Sequence, residues 1–254
     1  MSRPFYTTFA WAYDLLIQRP VKARVDFIVT QLHAQRVANG ARLLDAGCGS
    51  GSYAVALAER GFEVTAVDAS ADLVAEAKKK GVKAGVRIDF VVGDILSLPE
   101  ELTVDAILCR GVLNDLVETG SRRAVFSSFA RAMRRGGALV LDVREWRSTA
   151  ARKTESPVFQ KTVMTENGRL EFRSVSELQP DTHSLLISET HVLKSPRGQD
   201  AAAFDFEMRC WTQEELADHL AAAGFEPIAF FGDYDCAKQV GATDRLIAVA
   251  KLAK

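Results

Sequence analysis

Histidine and cysteine are scarce in this chain, four of each in 254 residues. Cys48, Cys109, Cys210 and Cys236 lie far apart and form no CxxC pair. That spacing signals neither a zinc site nor a disulfide framework. An excess of either charge is also missing. The 32 basic and 33 acidic residues leave a formal net charge of -1, so no global attraction to a phosphate backbone is expected. No run reaches the ~18 apolar residues that a membrane span needs. Residues 1–12 carry Arg3, Pro4, Tyr6 and two threonines in place of the apolar core of a signal peptide. Repeats and low-complexity segments are absent. These absences lead to the expectation of a reduced, cytoplasmic protein, monomer or homodimer, with no nucleic-acid or membrane partner.

What is present is a strongly apolar chain, 48% hydrophobic. Its length suits one large α/β domain, or a domain with an insertion. Residues 5–38 read as helical. Phe5, Phe9, Tyr13 and Leu16 recur at intervals of three and four, and Val25, Ile28, Val29 and Leu32 make a second stripe after Pro20. Strands and helices then alternate. Strands are predicted over 42–46, 62–67, 86–92, 104–109 and 138–143, and helices over 53–60, 72–80 and 122–135. Several of the helices are closed by glycine: Gly61, Gly81 and Gly136-Gly137. This rhythm predicts a parallel sheet with helices on both faces.

The rhythm changes after Val143. Period-2 segments such as Leu170-Glu171-Phe172-Arg173 and Leu185-Leu186-Ile187-Ser188 are separated by Asn167-Gly168, Pro180-Asp181 and Pro196-Arg197-Gly198. They predict an antiparallel insertion of three or four strands. Helical pattern returns at Thr212, with Glu215 three residues on as a capping box, and stops at Gly224. Two final strands, 225–231 and 245–251, complete the chain.

Three features fall at the carboxyl ends of the first three strands, where ligands of open α/β sheets bind. They are Gly47-Cys48-Gly49-Ser50-Gly51, then Asp68, then Gly93-Asp94. Glycines let the backbone turn sharply and approach a ligand. A strand-end carboxylate such as Asp68 can accept from both hydroxyls of a ribose. Asp94 can accept from an exocyclic amine of the kind adenine carries, and the Ile95 amide can serve a ring nitrogen. The glycine loop alone is compatible with NAD, FAD or a nucleotide phosphate. The dinucleotide fingerprint would place a third glycine where Ser52 stands in one register, or Ala54 in the looser one. A P-loop is excluded, because no Gly-Lys pair occurs. Asp45, two residues before Gly47, would repel a pyrophosphate and would suit an ammonium group. S-adenosylmethionine carries an ammonium and a sulfonium and no phosphate.

Leu44-Asp45-Ala46-Gly47-Cys48-Gly49-Ser50-Gly51 resembles the first motif of class I S-adenosylmethionine-dependent methyltransferases. Asp68 matches that family's ribose acid, and Gly93-Asp94-Ile95 its adenine-site segment. Arg134-Arg135-Gly136-Gly137 resembles the turn before the fifth strand, with Arg in place of Pro. Trp211 to Leu216 and Ala223-Gly224-Phe225 resemble its last helix and strand entry. The resemblance covers most of residues 40–145 and 208–253. It implies a Rossmann-like, doubly wound, seven-stranded mixed sheet whose last strand runs antiparallel between its neighbours. The insertion between strands five and six is similar to that of small-molecule methyltransferases of the glycine and amino-sugar N-methylating type. Three parts are expected: an N-terminal helical lid over 1–40, a cofactor-binding core over 41–145 and 208–254, and an antiparallel β insertion over 146–207 covering the acceptor site.

The cofactor is thus expected to be S-adenosyl-L-methionine. Its contacts are expected at Asp45, Ala46, Gly47, Cys48 and Gly49, at Asp68 and Ala69, and at Asp94 and Ile95. Tyr13, on the lid, and Arg110, where the family often carries Asn or an aromatic, are further candidates. Arg19 or Arg24 could pair with the cofactor carboxylate. Catalytic groups are left unassigned, with Tyr13, Arg110 and Asn114 as candidates. Asn114, Arg144, Trp146, Arg209 and Tyr234 are expected to line the pocket of a small-molecule acceptor, as could Trp211. None of His33, His183, His191 and His219 is placed to act as a base, and no metal site is expected. The expected chemistry is in-line methyl transfer, an amine acceptor being favoured over a hydroxyl because an amine can enter neutral. Transfer of another group from a cofactor derivative, a non-catalytic binding subunit and a nicotinamide dehydrogenase stay open as alternatives.

Overall fold

The computed structural model describes residues 3–253, so the first two residues of the expected lid lie outside the described part. The chain opens with short 3-10 turns at Pro4–Tyr6 and Ala10–Ala12, followed by one helical turn, α1 (Tyr13–Leu16). This differs from the continuous helix expected from the 3–4 apolar spacing. Phe5, Phe9 and Leu16 are buried as the stripe requires, but they pack on the β insertion at Leu170 and Phe172. A contact surface supplied by a sheet is met by turns as readily as by a helix. The second predicted helix, α2 (Val21–Ala34), forms, with Val25, Phe27, Ile28 and Leu32 buried. It packs on the core rather than on the insertion.

The alternation then appears as read: β1 (Arg42–Ala46), α3 (Ser52–Ala58), β2 (Glu63–Asp68), α4 (Ala71–Ala84), β3 (Ile88–Val92), β4 (Val104–Arg110), α5 (Thr119–Ala132) and β5 (Met133–Arg144). Side chains alternate across the central strands, and both faces are buried. Leu44, Ile107, Cys109, Leu139 and Leu141 face α5 and the last helix. Leu43, Ala106, Leu108, Ala138 and Val140 face α2 and α3. Gly136-Gly137 lie inside the hydrogen-bonded span of β5 instead of closing α5, which ends at Ala132.

An unpredicted helix, α6 (Trp146–Glu155), follows β5. The Glu145 carboxylate caps it, accepting from the amides of Arg147 and Ser148. Then come β6 (Val158–Thr165), β7 (Gly168–Gln179), β8 (Ser184–Ser195) and β9 (Gly198–Arg209), a four-stranded antiparallel meander. Its three turns fall where the glycine and proline signals placed them. α7 (Gln213–Ala222), β10 (Phe225–Phe231) and β11 (Arg245–Leu252) return to the main sheet. Thr212 caps α7 through the Glu215 amide at 3.1 Å, but the Glu215 carboxylate bonds Arg209 and not the cap amide, so only half of the capping box forms.

The main sheet has seven strands in the order β10-β11-β5-β4-β1-β2-β3. β1 to β5 pair in parallel, and β11 runs antiparallel between β5 and β10. Reversal has a consequence for the site. The carboxyl ends of β1 to β5 share one edge, and β11 contributes its amino end there. Arg245 pairs with Arg144 in the register. No helix among the described residues is long and apolar enough to cross a membrane.

Candidate functional site

A cavity of about 590 Å³ lies over that edge, between the main sheet and the insertion. Its floor is the glycine loop and the ends of β2 to β5. Its roof is the inward face of β7 and β8, together with the N-terminal segment. A half-buried strand face is ordinarily apolar, yet this one carries buried Ser174, Ser176, Glu189 and His191 among Leu170, Phe172, Leu185 and Ile187. Polar atoms kept on an inward face mark a lining rather than a sealed core.

The loop after β1 is shaped by Gly47, at φ +77°, whose amide donates to the Val67 carbonyl at 2.7 Å. A Cβ there would meet the Val112 side chain at 2.0 Å, besides the strain of positive φ. Asp45 lies beneath the loop, 2% exposed, and its Oδ2 has no hydrogen-bond partner. Burial pushes its carboxyl up to about 7, against the pull of Arg110. An unpaired buried carboxylate costs free energy until a cation or donor arrives. That combination fits a ligand ammonium.

Asp68 accepts from the Gly49 amide at 2.8 Å and the Ser70 amide at 2.9 Å, which fixes the carboxylate at the cavity wall. Its remaining lone pairs can take two hydroxyls. Burial holds it above the ordinary carboxylate range. Asp94 caps the 3-10 turn Ile95–Ser97 through the Leu96 amide and also lines the cavity with Ile95 and Ala69. Gly47 and Gly49 line it too, whereas Cys48 lines a smaller adjoining recess. Neither Asp45 nor Ala46 lines either space: Ala46 is fully buried in the core, and the Asp45 side chain is covered beneath the glycine loop.

The N-terminal segment closes the site from two sides. Asp14 accepts from Ser50 at 2.8 Å and Ser52 at 3.3 Å and pairs with Lys80, latching α1 to the glycine loop. Tyr13 and Arg19 line both spaces. Arg24 does not; its guanidinium lies over the Tyr234 ring. At the other side, Arg3 bonds Glu189 through two nitrogens, at 2.9 and 2.5 Å. Arg3 also donates to the Tyr6 hydroxyl, which donates to Asp115 at 3.1 Å. Asp115 faces the cavity. No sequence signal singled out this Glu189–Arg3–Tyr6–Asp115 chain, because its members are far apart along the polypeptide.

Arg110 ends β4. Its guanidinium lies 3.3 Å over the Tyr53 ring, donates to Tyr234 at 2.7 Å, and holds one nitrogen 3.6 Å from Asp142, in ion-pair range but without a hydrogen bond. Behind it, Asp142 is fully buried and receives Tyr234 at 2.6 Å and Arg245 at 2.9 and 3.0 Å. Burial opposes its charge, but Arg245, then Arg110 and the Tyr234 hydroxyl, outweigh that and hold its carboxyl down at about 2.

Two of the expected acceptor residues line the cavity. Asn114 accepts from the Arg144 amide at 3.0 Å, and Arg144 pairs with Asp244 at 2.5 Å. The other three do not. Tyr234 spends its hydroxyl on Asp142 and Arg110. Arg209 is committed to the Thr182 carbonyl and Glu215. Trp146 stacks on His183 at 5.0 Å and packs against Leu185 and Ile187. Trp211 is fully buried in the core. Asp244 and Arg245 were missed, although a reversed last strand implies that its beginning meets the site edge. No histidine lines the cavity. His191 is sealed among Phe5, Phe9 and Phe172, and burial lowers it to about 4. No cluster of three metal-ligating side chains occurs among the described residues.

A family model described as a methyltransferase domain matches residues 43–137. A protein of Geobacillus sp. (strain WCH70), assigned to the methyltransferases by name alone, is 28% identical over 97% of this chain and 99% of its own. The ubiquinone biosynthesis O-methyltransferase of Xanthomonas oryzae pv. oryzae (strain PXO99A) is 32% identical over 130 residues, 49% of this chain and 52% of that relative. This chain therefore spans about half the length of the latter. The fold is that of an S-adenosylmethionine-dependent methyltransferase from Clostridium acetobutylicum, with TM-score 0.82 at 19% identity, covering 98% of this chain and 99% of that one. It is also that of a sugar N-methyltransferase from Streptoalloteichus, with TM-score 0.79 at 19% identity over 98% and 93% of the two chains.

Proposed function

We propose that this chain, a class I S-adenosylmethionine-dependent methyltransferase by its matched domain and its fold, methylates a small-molecule acceptor held under the β insertion. The observation that carries this reading is the single cavity of about 590 Å³ joining the glycine loop, Asp68 and Asp94 to the space beneath β7 and β8. A concave space of that size suits a metabolite rather than a macromolecular surface.

In this reading Asp45 and Arg19 take the ammonium and carboxylate of the methionine moiety. Asp68 holds the ribose, while Asp94 and the Ile95 amide hold the adenine. The bound cofactor supplies a methyl carbon activated by its sulfonium. The protein aligns the acceptor with that carbon and excludes water, and orientation alone is worth several kcal/mol. Asp115, oriented by Tyr6, can accept a hydrogen bond from the acceptor. An amine is favoured over a hydroxyl, since a carboxylate is too weak a base to ionise an alcohol, whereas an amine attacks in its neutral form and its ammonium product releases the proton to solvent. The Xanthomonas and Streptoalloteichus proteins are named for different acceptor atoms, O and N, so an acceptor screen must carry both.

Calorimetry with S-adenosylmethionine and with NAD tests the cofactor assignment. S-adenosylmethionine should bind and NAD should not, and Asp68→Ala should weaken binding at least tenfold. Full affinity in that variant removes the ribose assignment. Methyl transfer from labelled cofactor to a panel of amines and alcohols then separates an enzyme from a silent binding subunit.

A further inference from the structure

The cavity wall farthest from the glycine loop in chain order is built from the end of β5 and from α6. It carries Arg144, Arg152 and Lys153. One carboxylate, Asp244, faces these three cations and pairs with two of them: Arg144 reaches it at 2.5 Å and Arg152 at 2.7 Å. The nearby Glu145 is turned to the amides at the start of α6, and Arg245 is neutralised by Asp142. Lys153 is left over. It is 9% exposed, lines the cavity, and has no hydrogen-bond or ion-pair partner among the described residues.

Two further atoms are unsatisfied at the same wall. Ser176, 6% exposed on the inward face of β7, has an unpartnered Oγ, and so does Arg144 at its Nε. β7 is tied to the end of α6 where the Ser176 amide donates to the Pro157 carbonyl at 2.9 Å, one turn beyond Lys153. Buried polar atoms are nearly always partnered, so Ser176 Oγ and Arg144 Nε, left open beside a cation that reaches the cavity, describe a missing acceptor group. Burial, then Arg152 and Arg144, lower the Lys153 ammonium to about 8, which an anionic partner would reverse. Phe159, Leu185 and Met208 line the same cavity with apolar surface.

We propose that Lys153, Arg144 and Ser176 form an anion subsite that binds an acidic group of the acceptor, with an apolar body lying against the insertion. This rests on the methyltransferase reading above. It adds a substrate class to it: an acceptor that carries a carboxylate or a phosphate.

The test uses the full chain saturated with S-adenosylhomocysteine and titrated with phenylacetate, phenyl phosphate and the neutral phenylacetamide. At least one anion should bind at least tenfold more tightly than the amide, and the preferred one identifies the acid. Lys153→Met should abolish that preference, leave S-adenosylhomocysteine affinity unchanged and raise the melting temperature, since an unpaired buried charge is removed. Ser176→Ala should weaken the preferred anion by a smaller factor. Equal affinity for amide and anions, or anion binding unchanged in Lys153→Met, overturns the subsite. Failure of S-adenosylhomocysteine to bind the wild-type chain overturns the cofactor reading instead, and that result is seen before any anion is added.

Discussion

Asp45, proposed above to take a ligand ammonium, carries a stability cost of its own. Its carboxyl titrates at about 7 in the folded chain, against an ordinary value near 4. Between those values the folded state holds a proton that the unfolded state has released, so stability falls as pH rises from about 4 through 7. Asp45→Asn should therefore match the wild type near pH 4 and melt several degrees higher above pH 7, on the order of a few kcal/mol. The same variant should lose affinity for S-adenosylhomocysteine, and with it the rise in affinity between pH 5.5 and 7 that accompanies ionisation of Asp45. Thermal melts and calorimetry over that range check both; a variant no more stable at pH 8 than the wild type removes the account. In the sequence, an acid two places before the first loop glycine spoke against a phosphate ligand. Its missing partner was not readable, since a vacant lone pair is a property of the folded neighbourhood.

At the scale of elements, the N-terminal segment and the β insertion pack together over the cavity. They share the cluster of Phe5, Phe9, Leu16, Leu170 and Phe172 and the Arg3–Glu189 pair. Glu189→Gln leaves the Arg3 charge buried without its partner, and removing one member of a buried pair is strongly destabilising locally. Amide exchange over residues 3–17 should speed at least tenfold in that variant, while β1 to β5 keep their protection. Unchanged exchange at the N-terminal segment would show that the apolar cluster alone holds the lid. The turns of the insertion were legible because Asn167-Gly168 and Pro196-Arg197-Gly198 have few conformations open to them. α6 was not, because Arg147, Ala150, Ala151, Arg152 and Lys153 give it no continuous apolar face and it buries little but Thr149 and Lys153. The first helix was overread for the converse reason: its apolar spacing was real, but the surface that uses it is a sheet.

For the whole molecule, the alternation of strands and helices through Val143 carried the architecture, and the motif resemblance carried the reversed last strand. What stayed hidden was the distribution of charge. A chain with net charge of -1 gives no hint that its cations gather at one wall of a cavity and its acids at another. The Asp142 network is part of the same concealment, since it joins β4, β5, β11 and the loop after β10. Asp142→Asn should destabilise the protein by about 3–5 kcal/mol, because Arg245 and Arg110 lose their counter-charge. Its carboxyl is held at about 2, so its contribution is complete above pH 4 and disappears as pH falls from about 4 through 2. Urea titrations at pH 7 and pH 3 measure the difference, which should narrow at the lower pH.

The Arg3–Glu189 pair spans 186 positions of sequence. During synthesis the third residue emerges first and waits for nearly three quarters of the chain before its partner exists. The parallel strands β1 to β5 and the glycine loop can assemble in that interval, while β10 and β11 are still to follow. A contact made late, over so long a loop, is also cheap to release without disturbing the rest. In the proposed enzyme the glycine loop would then be the part that persists and the Arg3–Glu189 pair the clasp that opens. An affinity tag fused ahead of Arg3 would sit on that clasp, whereas one at the carboxyl terminus follows the far end of β11 and leaves it free.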